Sequence, residues 1–149
     1  MIVLNPKIPY FNDDGMACSE STLRYLIENQ VVDLPITAVK MMTGMHGNMG
    51  RCANCGAVNG AAAAIGAKYG RTEPWEDSKR VYRLVEAFMQ EFEGRFGSVK
   101  CKDLLLGNDP ADMTQQRRCS DYVVAATEIV ERLFAEEEEA EKKEKEGQD

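Results

Sequence analysis

Apolar residues recur along this chain at the three- and four-residue spacing that lines one face of a helix. Leu23, Leu26 and Ile27 form such a stripe in a segment running from Ser19 to about Asn29. Pro35 is placed to open a second helix, with Ile36, Val39 and Met42 on one side and a stop at Gly44. A glycine-rich connection, Gly44-Met-His-Gly-Asn-Met-Gly-Arg-Cys-Ala-Asn-Cys, comes next. Helical pattern resumes from about Cys55 to Tyr69 and is closed by Gly70. Here the residues are mostly very small, and Gly56, Gly60 and Ala64 recur every four positions. Each interior glycine costs a helix about 1 kcal/mol relative to alanine, but a face without bulk lets another backbone, or a cofactor, approach closely. This helix is expected to be central and buried.

After Pro74, the stripe Val81, Leu84, Val85, Phe88 and Phe92 marks a long amphipathic helix over 76–96, ended by Gly97. A short turn of helix is expected over Lys102 to Leu106. Asn108-Asp-Pro then breaks the chain, and Asp112 with Gln115 has the spacing of a capping box. The last helix carries Tyr122, Val123, Ala126, Ile129, Val130 and Leu133. Beyond Phe134 the glutamate-rich sequence has no apolar stripe, and is expected to be a solvated end, helical near the body and frayed at its tip. No strand pattern competes. The expected fold is all-α, a single-domain bundle of about five helices around the small-residue helix. An irregular arm over 1–17, a helical cysteine domain over 18–134 and a charged tail over 135–149 divide it.

Composition narrows the function classes. A chain of 149 residues can bury a real core without disulfide staples. The net charge of -7 argues against nucleic acid, which needs a basic surface; Lys142, Lys143 and Lys145 sit among glutamates. No run of about 18 apolar residues appears, so no membrane span is expected. Met1-Ile-Val-Leu-Asn-Pro lacks the basic opening and apolar core of a secretory leader, and the cytoplasm is the expected address.

In that compartment thiols stay reduced, and gathered cysteines point to metal or redox work. There are five: Cys18, Cys52, Cys55, Cys101 and Cys119. Cys18 precedes the first helix, Cys55 opens the glycine-rich one, Cys101 sits before the short turn, and Cys119 lies early in the last helix. Helix N-termini favour thiolate over thiol, the form that ligates metal or attacks a disulfide. A four-sulfur site drawn from Cys18, Cys55, Cys101 and Cys119, or one using Cys52 in place of one of them, would suit a metal, an iron–sulfur cluster or dithiol chemistry. Cys52-Ala-Asn-Cys55 alone has the spacing of a redox dithiol but lacks the strand such a motif follows. Scattered packing thiols are the plain alternative. His46 reads as an ordinary loop residue, Met41, Met42, Met45 and Met49 as core fillers, and Trp75 as a cap over the core. No phosphate-cradling loop, Ser/His/Asp arrangement or paired-carboxylate site is present, so no stand-alone enzyme chemistry is assigned.

Cys18 near a first helix, then Gly47, Gly50 and the block Cys55-Gly-Ala-Val-Asn-Gly60, resemble the C_GCAxxG_C_C family, named for suspected redox activity. Ala-Ile-Gly-Ala-Lys-Tyr-Gly70, Phe96-Gly-Ser-Val-Lys-Cys101-Lys-Asp-Leu-Leu and Cys119-Ser-Asp-Tyr-Val continue the resemblance, which covers Cys18 to Phe134. It implies a helical electron carrier that holds an iron–sulfur cluster, [2Fe–2S] in type, and serves a redox protein partner. The family's four cysteines fall on Cys18, Cys55, Cys101 and Cys119 as ligands, and Gly56 and Gly60 are the glycines of the central block, beside the cofactor. Cys52 is an extra, accessory thiol. The block reads Cys-Gly-Ala where the pattern has Gly-Cys-Ala, and no haem-attachment motif is present. The alternatives left open are a cluster-free dithiol of Cys52 and Cys55, a structural zinc site, or no cofactor. A homodimer through the small-residue or the long amphipathic helix is a further expectation.

Overall fold

The structure is a computed structural model that describes residues 5–11, 15–45, 53–104 and 113–147, with side chains from Cys119 onward in the last stretch. Six α-helices make up the described residues: α1 (Cys18–Glu28), α2 (Val39–Thr43), α3 (Gly56–Tyr69), α4 (Lys79–Phe96), α5 (Cys101–Leu104) and α6 (Met113–Gly147). A single 3-10 turn, Ile36–Ala38, leads into α2. The all-α expectation holds. Cys52, His46, Met49 and Asp112 lie outside the described residues, as does the side chain of Gln115.

α1 buries Leu23 and Leu26. Its end carries no glycine; instead Gln30 adopts the left-handed conformation at φ 59°. That turn lets the Gln30 amide bond Ile27 O at 3.0 Å and the Val31 amide bond Leu26 O at 2.9 Å. Two carbonyls that the helix end would orphan are thereby satisfied.

α3 lies at the centre and touches α1, α4 and α6. A Cβ on Gly60 would come within 2.8 Å of both Ser19 O and Thr22 Cβ, and one on Gly56 within 2.8 Å of Cys18 Cβ. The bare face thus admits α1 at a distance no larger residue allows. Because α1 covers it, that face is not open to a second copy of the chain, contrary to one of the two expected dimer contacts.

α4 buries Leu84, Phe88 and Phe92 and ends at Gly97, whose φ of 86° suits glycine alone. Phe92, Phe96 and Tyr122 of α6 form an aromatic cluster with centroids 4.8–6.1 Å apart. Tyr122 donates its hydroxyl proton to Leu104 O at 3.1 Å, tying α5 to α6. α6 buries every residue of its expected stripe, together with Phe134.

Several expectations need correction. Trp75 is 80% exposed and caps nothing; Ile36, Met41 and Met45 are also exposed, whereas Met42 is buried. In the short 3-10 turn and α2, successive side chains fan around the axis, so fewer share the buried side. The irregular N-terminal arm contributes Ile8 and Phe11 to the core. The acidic end of α6 stays helical to Gly147 and is paired rather than simply solvated. Lys68 binds Glu138 at 2.7 Å, Arg80 binds Glu137 at 3.0 Å and also Glu141, and Arg83 binds Glu137 at 2.5 Å. Finally, an antiparallel bridge joins Asn54 to Lys100, an interaction between segments 46 residues apart that periodicity does not reveal.

Candidate thiol site

Three cysteines stand at helix starts. Cys18 is the first residue of α1, Cys55 the N-cap of α3 and Cys101 the first residue of α5. Cys119 sits in the second turn of α6. Gly56 holds α1 against α3 at Cys18. The Asn54–Lys100 bridge is closed by the Cys55 amide on Val99 O and the Cys101 amide on Ala53 O, each at 2.8 Å. Cys55 and Cys101 each follow a bridge residue, so the alternation of an extended ladder directs both side chains to the same side. Cys18 and Cys119 are a coupled pair, and hydrogen bonding between the two thiols raises Cys18 and lowers Cys119.

Cys18 senses the other three sulfurs. Cys18 is held well above the usual thiol range, first by donating its proton to Cys119, then by burial, then by the charges that Cys119, Cys55 and Cys101 would carry. Cys119 moves the opposite way, because the Cys18 thiol stabilises its thiolate against the cost of burial. Cys55 is pushed up to about 11 by burial, although the Ala57 and Val58 amides pull it down; charge on Cys119 adds to the rise. Those amides face the sulfur without completing a hydrogen bond of ordinary cap geometry.

The helix-start expectation therefore needs amendment. Burial outweighs the Ala57 and Val58 amides at Cys55, and the lowered thiol is Cys119, in the second turn of α6. A dipole's effect fades within the first turn, whereas a donated hydrogen bond acts at contact distance.

Cys55 is buried, and Cys18, Cys101 and Cys119 are half-buried. Among the described residues, no three His, Cys, Asp or Glu side chains stand at metal-holding spacing. Gly56 and Gly60 face α1, so the space a Cβ would take is filled by the chain itself.

Sequence reasoning passed over Glu20. One carboxylate oxygen accepts the Ala17 amide at 3.0 Å and the other accepts the Thr43 hydroxyl at 2.7 Å. It occupies the third helical position, where a capping-box glutamate reaches back, but Ala17 at the N-cap lacks the hydroxyl that flags the motif. Ser19 was also unmarked; its hydroxyl donates to Met42 O at 3.2 Å.

No helix among the described residues is long and apolar enough to cross a membrane. No curated protein and no solved structure matches the chain. Residues 16–133, from just before the first thiol to the end of the apolar stripe of α6, match the family described as "Putative redox-active protein (C_GCAxxG_C_C)", and the chain belongs to that family.

Proposed function

We propose that this redox protein transfers electrons through an iron–sulfur cluster, [2Fe–2S] in type, held by Cys18, Cys55, Cys101 and Cys119, and that it exchanges them with a redox protein partner. What supports the reading is the family match together with the electrostatic influence of Cys55, Cys101 and Cys119 on Cys18, thiols that belong to or flank four helices. An all-sulfur donor set suits iron and disfavours hard cations. Mutual repulsion among the thiolates is a cost that positive metal charge offsets. The Ala57 and Val58 amides facing Cys55 are N–H donors of the kind that stabilise negative charge on a ligating sulfur. When bound, the cluster supplies a one-electron couple. The chain's own residues hold the thiolates, shield them from water and aim amides at sulfur.

Anaerobic purification followed by reconstitution with iron and sulfide tests the reading. A coloured protein with about two irons and two sulfides per chain is expected, and loss of colour on Cys55→Ser. A colourless, iron-free product overturns it; stoichiometric zinc without colour would put a structural zinc site in its place.

The Cys18–Cys119 contact favours a second, cluster-free reading on that pair, where Cys52 and Cys55 were expected. Both thiols would give up two protons and two electrons to a partner disulfide, which leaves as a dithiol, and become a disulfide themselves. Thiol counting with peptide mapping should show two thiols lost on oxidation and regained on reduction. An unchanged result in Cys119→Ser sinks it.

A further inference from the structure

The Cys18 thiol is only as well placed as the first turn of α1. Its backbone start is Ala17, an N-cap with no side-chain acceptor. The Glu20 carboxylate supplies what is missing by accepting the Ala17 amide at 3.0 Å. Its second oxygen takes the hydroxyl proton of Thr43, the last residue of α2, at 2.7 Å. A parallel tie runs from Ser19 Oγ to Met42 O at 3.2 Å. On the opposite side there is no slack, since a Cβ on Gly56 would meet Cys18 Cβ at 2.8 Å. Cys18 is thus clamped between a carboxylate-bridged α1–α2 junction and the bare face of α3.

We propose that Glu20 is a positioning residue for the thiol site: by bridging the Ala17 amide and the Thr43 hydroxyl it fixes the start of α1 so that Cys18 meets Cys119. The inference deepens the redox reading, since it concerns the same thiols, but it concerns their placement and needs no bound group. Disulfide formation tolerates little displacement, because the two Cβ atoms must come within about 3.5–4.5 Å. Loosening the junction therefore acts on cross-linking more than on overall helicity. A helix cap of purely structural importance would lower stability without changing the pairing of these two thiols in the folded chain.

The test uses the full reduced, metal-free chain and diamide, which takes up two electrons and two protons as two thiols become a disulfide. The Cys18–Cys119 cross-link is timed by quenched peptide mapping, with helicity followed by circular dichroism. Glu20→Ala should slow the cross-link at least fivefold while the chain stays helical. Glu20→Gln, whose amide oxygen can still accept from Ala17, should restore the rate to within about twofold of the parent. Thr43→Val leaves the Ala17 contact intact and should slow it about threefold, which keeps the comparison open if Glu20→Ala unfolds. Parental rates in folded Glu20→Ala or in Thr43→Val overturn the role of Glu20. Failure of the parent chain itself to cross-link these residues removes the thiol contact, and with it both this proposal and the dithiol reading, but not the cluster reading.

Discussion

At Cys55 two local effects oppose each other, and their balance sets a pH dependence. Burial raises the thiol while the amides of Ala57 and Val58 lower it, and burial wins, leaving the group at about 11. The folded chain therefore prefers the neutral thiol more strongly than the unfolded chain does. This contribution to stability is complete below the ordinary thiol value of 9.0 and disappears as pH rises through about 11. A shift of that size corresponds to about 3 kcal/mol. Urea midpoints measured across that alkaline interval should fall more steeply for the parent than for Cys55→Ala. Cys119 shows the reverse balance, since Cys18 donates to it. Near neutral pH it should react with iodoacetamide before Cys18 and Cys55, as read by mass mapping. Residue-scale strain also sits at Gln30, held at φ 59°. Gln30→Gly should raise stability by about 0.5–1 kcal/mol in thermal melts, because glycine adopts that conformation without steric cost.

Among elements, α3 shows that glycines in one helix can have opposite roles. Gly60 faces Ser19 O, and added bulk must displace α1; Gly60→Ala should cost about 1–3 kcal/mol. Gly66 has no atom within 4 Å of where a Cβ would stand, so Gly66→Ala should stabilise by up to about 1 kcal/mol. Urea unfolding of the two variants separates a packing glycine from one that only weakens its helix. The end of α6 obeys different physics. Past Phe134 its described ties to α3 and α4 are the ion pairs of Lys68, Arg80 and Arg83 with Glu137, Glu138 and Glu141. These groups are partly exposed and screened by salt, so each pair contributes little. Arg80→Ala should speed amide exchange in residues 138–147 while shifting global stability by no more than about 1 kcal/mol.

For the molecule as a whole, the helix order and its buried stripes were legible because burial on one face imposes a repeat close to the helical period. Leu84, Phe88 and Phe92, and the run from Tyr122 to Leu133, could be read directly. Elements too short to develop a repeat were not: Ile36 and Met41 point to solvent, and Ile8 enters the core from an arm with no pattern. The family membership was likewise open to reading, from the ordered resemblance around Cys18, Cys55, Cys101 and Cys119. Their protonation order was not, because it depends on who touches whom: Cys18 on Cys119, and the buried position of Cys55. Sequence alone thus determined an all-α chain with a bare-faced central helix and a set of sulfur donors, all properties of local pattern and residue chemistry. Tertiary structure alone decided that α1 fills the bare face, that a bridge between Asn54 and Lys100 pairs the starts of α3 and α5, and that Glu20 joins α1 to α2. Each of these is a contact between residues distant along the chain, set by the mutual fit of finished elements rather than by any periodicity within one of them.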